Sequence, residues 1–295
     1  MLAFVTSMRH PQNSADYSRV ESLLQETLYS VAGQSDDDYV IIVVGNREPN
    51  FPLPARTEFV RVDFDAPAPP TGPRTAREPF VRDKGTKIGI GLLVALRHGA
   101  DHAMIFDADD FVHRDLARIV SKHPDSPGWV IDRGWIYSRS RNGYRRQNQF
   151  NRTCGTSFVL PLAAYEIPEH LDITASQEEL ISSYGEVLPN IIGAHRNAVE
   201  WHAQRGRVLQ SFPLRAAVYH VDTGENHSGK AINGLLKPWN AGFGRAFGIR
   251  PSLGHVTSLW RSCGVRPIFE SGRDLRLRAL RAAKRLSTKA LGKGS

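Results

Sequence analysis

The sequence predicts an α/β fold in which a mostly parallel central sheet is flanked by helices, with a basic helical extension at the C-terminal end. Short β-rich runs alternate with helical patterns through the first third of the chain, an order typical of parallel sheets. The run Tyr39–Val44 is apolar throughout, as in a strand buried on both faces. The 295 residues and 41% hydrophobic content suffice for such a core. We therefore expect ligands at the carboxyl ends of the strands.

The elements of the first half follow from apolar spacing. A strand at Leu2–Ser7 opens the fold, and Asp16–Val31 has apolar residues at helical spacing after a cap expected near Ser14. Four prolines between Pro67 and Pro73 exclude regular structure there. The remaining predictions for this half are strands at Tyr39–Val44, Phe59–Val62 and Ala103–Phe106 and a helix at Lys87–His98.

The second half has a weaker alternation. We predict strands at Gly128–Asp132, Thr156–Leu160 and Arg215–Val221 and helices at Gln177–Ser183 and Leu188–Gln204. A basic, aromatic stretch separates the first two of these strands, and no element is assigned to it. The segment Pro251–Pro267 is interpreted as a connector to a C-terminal helix.

The net charge of +8 is concentrated in residues 272–295, which hold eight Lys and Arg against one Asp. The rest of the chain is nearly neutral, which argues against a nucleic-acid-binding domain. Apolar residues recur at helical spacing in this tail, so it is either an amphipathic helix on an anionic membrane or a solvated segment. The two cysteines are far apart and the N-terminal run resembles no signal peptide. We expect a cytoplasmic protein, at most peripheral at the inner membrane surface.

Two carboxylates follow the predicted strand Ala103–Phe106, and they are the most informative feature of the sequence. Asp107 and Asp109 stand at its carboxyl end, where a turn can aim both at one point. Carboxylate oxygens are preferred ligands of Mg²⁺ and Mn²⁺, and such an ion can bridge a diphosphate. The alternative is that Asp109 or Asp110 caps a helix at Arg114–Val120.

The segment from Lys84 to Asp110 resembles the central block of GT-A glycosyltransferases, especially the family-2-like group. It has a basic residue opening a helix, a Gly- and Ala-rich helix and a strand that ends in Asp-Ala-Asp-Asp. The resemblance implies a GT-A fold and a metal-dependent enzyme that moves a sugar from a UDP- or GDP-sugar to a saccharide, a lipid-linked saccharide or another hydroxyl acceptor. By the same resemblance, residues 1–125 form the nucleotide-sugar half and 126–250 the acceptor half. The sequence pattern adds a connector and a basic amphipathic helix at 251–295.

The resemblance also implies roles for single residues in binding the donor. The metal ligands, for Mn²⁺ or Mg²⁺, are the Asp-x-Asp pair Asp107 and Asp109 together with His220, or with His227 in its place. The donor-binding residues beside them are Lys84 and Lys87 for the diphosphate or ribose, Thr6 and Ser7 near the base, and Asn226, Ser228 and Lys230 over the diphosphate. The nucleobase of the donor is recognised by Asn46, or by Asp63 and Asp65.

The catalytic base is left open by the same comparison. Where the family has an acidic pair, this chain has His195 and Arg196. Either His195 is the base, or Glu178, Glu179 or Asp172 takes that role, or the enzyme retains configuration and needs no such base. Aromatic and amide side chains suit a sugar acceptor, and the candidates are Trp135, Tyr137, Tyr144, Asn151 and Trp201. The two tryptophans are equally suited to the core.

Other classes of protein are weighed against this one. A sugar-nucleotide nucleotidyltransferase shares related metal chemistry, but its Gly-rich basic loop is missing from Thr6–Asn13. An Asp-x-Asp phosphatase expects Thr or Gly soon after the second Asp, where Phe111 and Val112 stand. A non-catalytic carbohydrate- or membrane-binding domain on the same scaffold is the third alternative.

Overall fold

The computed structural model describes residues 1–68, 78–223, 232–265, 267–272 and 276. Within them the strands are β1 (Leu2–Ser7), β2 (Tyr39–Gly45), β3 (Thr57–Arg61), β4 (His102–Ile105), β5 (Phe111–Val112), β6 (Trp129–Val130), β7 (Arg133–Ser138), β8 (Gly143–Asn148), β9 (Phe158–Pro161), β10 (Gln210–Ser211), β11 (Ala217–Val221) and β12 (Lys237–Pro238). The helices are α1 (Tyr17–Val31), α2 (Glu78–Arg97), α3 (Leu116–Ser121), α4 (Gln177–Tyr184), α5 (Ala198–Gln204), α6 (Ala241–Phe247) and α7 (His255–Cys263). The predicted helix in the tail lies outside the described residues.

The central sheet has the strand order β10-β6-β9-β4-β1-β2-β3. Strands β4, β1, β2 and β3 are parallel, and β9 is antiparallel to β4. Helices α1 and α3 pack on one face of this sheet and α2 on the other. The predicted fold class, a mostly parallel sheet flanked by helices, is confirmed. The parallel strands bring the carboxyl ends of β1, β2 and β4 to one edge.

A second sheet has the strand order β12-β8-β7-β11-β5. The basic, aromatic stretch without an assigned element forms its hairpin, β7 paired antiparallel with β8. The turn of this hairpin contains Asn142, whose positive φ of 47° is one that asparagine tolerates. Strand β5 follows the acidic turn at once and pairs with β11. The turn 107–110 therefore joins the two sheets.

Helix α2 lies close to the central sheet on one side and to α4 on another because a glycine stands at each contact. A Cβ atom at Gly91 would come within 2.4 Å of Val5 Cγ1, and one at Gly89 within 2.7 Å of the Tyr184 ring. The helix starts at Glu78, well before the predicted start at Lys87. The glycines lower the helix propensity of this segment. Its tight packing on β1 and β2 stabilises the helix.

Three local predictions are wrong. The predicted helix Leu188–Gln204 is interrupted: a π-helical turn at Leu188–Ile192 is separated from α5 by residues 193–197. The chain breaks there because Gly193 packs against α2, where a Cβ atom would lie 2.4 Å from the Val81 carbonyl oxygen. The cap of α1 is Asp16, which accepts from Arg19 N at 3.1 Å, and not Ser14. The connector Pro251–Pro267 contains α7.

The capping alternative for the acidic turn is also wrong. Helix α3 begins at Leu116, and the residue at its N-terminal boundary is Asp115. Asp109 and Asp110 precede β5 and lie outside this boundary. Among the described residues, no helix is both long enough and apolar enough to cross a bilayer.

Two buried histidines predict that stability falls in mild acid. His202 on α5 is 2% exposed, and burial, reinforced by Arg207 and Arg205, lowers its pKa to about 4. Burial likewise lowers the pKa of His220 to about 3. The unfolded chain therefore binds more protons than the folded chain between the unfolded pKa of about 6.5 and these values. Stability is retained above that range and is lost as the pH falls through it.

We expect His202→Gln to reduce this pH dependence, by up to about 1.4 kcal/mol per pH unit. Urea unfolding at several pH values between neutral and mildly acidic measures the slope for each variant. His123→Gln is the matched control, because His123 is exposed. An unchanged slope in His202→Gln would mean that His202 takes up its proton in the folded state too.

Candidate active site

The acidic turn follows β4 at the carboxyl edge of the central sheet. Phe106 N still donates to Val5 O at 3.0 Å, and the chain then turns, with Asp110 N donating to Asp107 O at 3.1 Å. Asp107 and Asp109 are partly exposed, whereas Asp110 is fully buried. Two carboxylates of this turn thus face outward and one faces the protein.

The buried carboxyl of Asp110 binds the turn to its surroundings. Its Oδ2 accepts from Thr156 Oγ1 at 2.5 Å and from Cys154 Sγ at 2.9 Å, and its Oδ1 accepts from His220 N at 3.1 Å. Thr156 Oγ1 also accepts from Asp107 N at 2.9 Å. Burial, together with the carboxylates of Asp109 and Asp107, raises the pKa of Asp110 well above its ordinary value. These bonds fix the direction of Asp107.

Asp107 forms an ion pair with Lys84 of α2. The Lys84 ammonium donates to Asp107 Oδ1, and both side chains are about one-third exposed (30% and 32%). Burial alone would raise the pKa of Asp107, but the Lys84 charge outweighs it and holds that pKa below its ordinary value. In turn Asp107 overcomes the effect of burial and raises the pKa of Lys84. Both groups are therefore charged at neutral pH.

Asp109 has a different environment from Asp107. Burial and the neighbouring Asp107 carboxylate raise its pKa to about 7, and Lys84 only partly opposes them. Two like charges this close disfavour the second ionisation. A cation bound here would relieve this repulsion and favour the ionised form of Asp109.

Gly155 lets the loop before β9 pass directly beside Asp107. A Cβ atom at this position would lie 2.8 Å from Asp107 Oδ2. The backbone of Gly155 also hydrogen-bonds the Asp107 carboxylate, which helps to lower its pKa. A residue with a side chain would push the carboxylate away from its present direction.

His195 lies in the same cleft as Lys84. The cleft is lined by Lys84, Ile105, Gly155, Phe158, Leu160, Tyr165, Ile191, Ile192, Ala194, His195 and Ala198. Burial lowers the pKa of His195 to about 4, opposed by the Asp107 carboxylate. Its Nε2 atom is buried and has no hydrogen-bond partner among the described residues. The imidazole is thus neutral at physiological pH, and its Nε2 atom is available for a hydrogen bond.

Lys87, predicted beside Lys84, lies in the core. Its side chain is fully buried, and its ammonium is 2.9 Å from Asp83 Oδ1 and 3.1 Å from Met8 O. Burial lowers its pKa despite the attraction of Asp83. The pair fastens α2 to the chain that follows β1. A contact of Lys87 with the donor stays a prediction.

The residues predicted near the nucleobase lie at the carboxyl ends of β1, β2 and β3. Thr6 is buried and donates to Phe106 O at 2.7 Å, whereas Ser7 is partly exposed. Asn46 Nδ2 donates to Phe64 O at 2.8 Å, and its Oδ1 has no hydrogen-bond partner within the described chain. Asp63 is 86% exposed, 3.5 Å from Arg61. Of this group, Asn46 presents an acceptor that an N–H group of a ligand can satisfy.

The alternative catalytic carboxylates each have a structural partner. Glu178 is 3.0 Å from Arg82 and is 76% exposed. Glu179 accepts from Ser176 N at 2.7 Å, in the capping box that starts α4. Asp172 is 2.7 Å from Arg97 on the surface. None of the three lines the cleft that contains His195, as far as the described residues define it.

The predicted acceptor residues fall in separate places. Trp135 and Tyr137 of β7 pack in a cluster with Phe243 of α6, and the Tyr137 hydroxyl donates to Asn142 Oδ1 at 2.9 Å. Trp201 is partly buried on α5, with Arg205 stacked 3.4 Å from its ring centre. Asn151 is partly exposed in the short helical turn Phe150–Arg152. Their roles stay predictions.

The histidine predicted as third metal ligand is packed between rings. The centre of the His220 imidazole is 5.1 Å from that of Phe111 and 5.6 Å from that of Tyr137. Among the described residues, the group whose ligand atoms all lie within 4.8 Å of one another is Asp107, Asp110 and Cys154. Its third member is thus a thiol and not His220. Asn226, His227, Ser228 and Lys230 lie outside the described residues.

Sequence reasoning missed the loop 154–156, which surrounds Asp107. Its contacts to Asp110 span 44 and 46 residues of sequence and depend on β9 pairing with β4. The available signal was the third Asp of the run Asp107–Asp110, which needs a partner if it is buried.

Comparisons with known proteins add distant similarities. No protein-family model matches the sequence, and a search of curated proteins finds no match. Among solved structures, residues 1–349 of S. aureus TarS in complex with UDP-GlcNAc are similar at 10% identity with a TM-score of 0.41. The similarity covers 79% of this chain and 62% of that chain. This chain therefore spans less than two thirds of that structure.

Two further structures are similar at comparable distance. Mouse xyloside xylosyltransferase 1 has 9% identity and a TM-score of 0.34, with 72% of this chain and 84% of that chain covered. The galactosyltransferase LgtC, in complex with donor and acceptor sugar analogues, has 11% identity and a TM-score of 0.30, with 75% and 86% covered. At these scores the similarities assign no activity, and the chemistry of the cleft follows from its own residues.

Proposed function

We propose that the chain is a glycosyltransferase that takes its sugar from a nucleotide-diphosphate sugar, with UDP or GDP as the nucleotide, and requires a divalent cation. The observation that carries the proposal is the placement of Asp107 and Asp109 at the carboxyl edge of the parallel sheet, beside Lys84. Parallel sheets of this kind bind their ligands at that edge. The acceptor is a saccharide or another hydroxyl compound.

The donor set of the turn fits Mg²⁺ or Mn²⁺. Asp107 and Asp109 offer partly exposed carboxylate oxygens, the ligand type that these ions prefer. Asp110 and Cys154 are bound to each other in the interior, and a thiol is a poor ligand for such hard cations. We infer that Asp107 and Asp109 hold the ion and that Asp110 with Cys154 supports them. When bound, the cation neutralises charge on the leaving diphosphate.

Residues of the chain itself supply the remaining contacts to the donor. The Lys84 ammonium, which already faces the acidic turn, provides a positive charge for a phosphate oxygen. The free Oδ1 acceptor of Asn46 suits an N–H group of uracil or guanine. The two groups lie at the ends of α2 and β2 that meet at the same sheet edge. They would hold the two ends of one nucleotide diphosphate.

His195 is the candidate group for deprotonating the acceptor hydroxyl. It lies in the cleft beside Lys84, it is neutral because burial lowers its pKa to about 4, and its Nε2 has no partner among the described residues. A neutral imidazole can accept a proton, and binding of a hydroxyl would supply the missing hydrogen bond. A retaining reaction would not use it as a base.

A melting-temperature screen tests the proposal. UDP, GDP and CTP are each added with and without Mn²⁺, and the rise in Tm is measured. At about a hundredfold excess over Kd, a ligand stabilises by about 2.7 kcal/mol, or roughly 5 °C for a chain of this size. We expect one nucleoside diphosphate to produce this shift only with the metal.

Two additional samples, a nucleoside triphosphate with a sugar phosphate and the matching nucleotide sugar, separate the competing functions. Stabilisation by a nucleoside triphosphate together with a sugar phosphate, and not by a diphosphate, would indicate a nucleotidyltransferase. Slow release of the nucleotide from the matching nucleotide sugar in the absence of acceptor indicates a transferase, and binding without any release would leave only a binding domain. The absence of a response to every nucleotide would contradict the proposal.

A further inference from the structure

Helix α7 turns its polar side toward the protein. Its buried residues are Ser258 and Ser262. Ser258 Oγ accepts from Asn142 Nδ2 at 2.7 Å, and Ser262 Oγ donates to Arg141 O at 3.0 Å. A surface helix of a globular protein usually buries its apolar stripe and exposes the polar side. The orientation of α7 is the reverse of that arrangement.

The outward side of α7 carries large apolar residues. Val256, Leu259 and Trp260 recur at helical spacing and are 80%, 50% and 66% exposed. The helical residues after α7 repeat the spacing with Val265, Ile268 and Phe269, which are 55%, 56% and 75% exposed. We call these six side chains the apolar C-terminal surface. Most of the exposed large hydrophobic side chains within the described residues belong to it, which marks a surface for interaction.

The segment that carries this surface anchors itself by polar contacts on its other side. Glu270 accepts from Gly234 N at 3.1 Å, and Ser271 Oγ accepts from Leu235 N at 2.8 Å. These bonds hold the segment to the loop before β12, and they turn one of its few acidic groups inward. The outward orientation of the apolar side chains is thus built into the fold.

The sequence of the segment that carries this surface is basic. Residues 250–276 contain five arginines against Glu270 and Asp274, and residues 277–295 add six Lys and Arg without an acid. A second copy of the chain would bring like charges together across a symmetric contact. An anionic lipid surface complements both the charge and the apolar side chains, and Trp and Phe are typical of groups that insert at headgroup level.

We propose that the apolar C-terminal surface docks the protein on a bilayer rich in anionic phospholipid, with α7 lying in the interface and Trp260 and Phe269 inserted. The inference is independent of the proposed function, because it uses none of the residues of the cleft. The net positive charge of this part of the sequence attracts the protein to the lipid, and the apolar side chains hold it there.

Co-sedimentation of the full chain with vesicles tests the proposal. Vesicles of phosphatidylcholine alone are compared with vesicles of equal parts phosphatidylcholine and phosphatidylglycerol, at low and high salt. We expect binding to the phosphatidylglycerol vesicles that weakens with salt. The double variant Trp260→Ser with Phe269→Ser should lower the partition coefficient by roughly tenfold or more, since two exposed aromatic groups no longer insert.

Val208→Ser is the matched control, because Val208 is a 73% exposed apolar residue outside this surface. It should bind as the parent does. Equal Tm values, and an equal nucleotide response in every variant, separate lipid binding from folding and from the cleft. Three results would overturn the proposal: no binding to phosphatidylglycerol vesicles, equal binding of the double variant, or a dimer in ultracentrifugation that the double variant dissociates.

Discussion

Asp107→Asn is expected to lower turnover of the nucleotide sugar by about 10²–10³-fold, because losing a metal ligand removes several kcal/mol of charge stabilisation. It should also remove most of the Tm increase that the nucleotide with Mn²⁺ produces in the parent. Asp109→Asn should behave alike. Each shift is measured from the variant's own Tm without ligand, so that the loss of the Lys84 ion pair does not count as lost binding.

Glu178→Gln is the control for this experiment. It also removes one carboxylate from an ion pair with a basic residue of α2, but Glu178 is 76% exposed and lies outside the cleft. It should retain the turnover and the nucleotide response of the parent. If Asp107→Asn keeps the full rise in Tm with nucleotide and Mn²⁺, the assignment of the metal site is wrong. If both variants lose the rise in Tm, the loss is a general effect of charge.

Asp110→Ala is expected to lower the free energy of unfolding by roughly 3–5 kcal/mol. The change leaves three donors without their acceptor, namely Thr156 Oγ1, Cys154 Sγ and His220 N. An unsatisfied buried group costs about 1–3 kcal/mol, and the cavity adds to this. Urea unfolding of the parent and the variant at neutral pH gives the difference.

Asp125→Ala is the matched control, because Asp125 is an exposed aspartate on the surface. Its substitution should change stability by less than about 0.5 kcal/mol. Thr156→Val tests the coupling: combined with Asp110→Ala, it should cost much less than the sum of the two single effects, since both remove the same bond. Additive losses, or an Asp110→Ala protein as stable as the parent, would contradict the role given to Asp110.

The central strands were predictable from the sequence because burial on both faces demands continuous apolar runs. Strand β1 has the predicted bounds, Leu2–Ser7, and β2 is one residue longer than predicted because it ends at Gly45 and not at Val44. The acidic turn after β4 was located for the same reason. The hairpin β7–β8 escaped prediction because its strands are basic and aromatic on a partly exposed sheet, a pattern with no clear periodicity.

The surroundings of the site were less predictable because they depend on contacts distant in sequence. Lys87 is buried between Asp83 and Met8. Helical spacing can predict its contact with Asp83, four residues earlier, but not its contact with the Met8 carbonyl oxygen. The reversed orientation of α7 also runs against the pattern, since periodicity identifies an apolar side but not what that side faces. For these features only the three-dimensional packing decides.

The short link between β4 and β5 has a mechanical consequence for the two sheets. Five residues, 106–110, separate the last residue of β4 in one sheet from the first residue of β5 in the other, and Asp110 accepts a hydrogen bond from His220 N of β11. So short a linker restricts hinge motion between the two sheets. The two sheets are therefore expected to respond as one body when a ligand occupies the link, so that binding there raises resistance to proteolysis on both sides together.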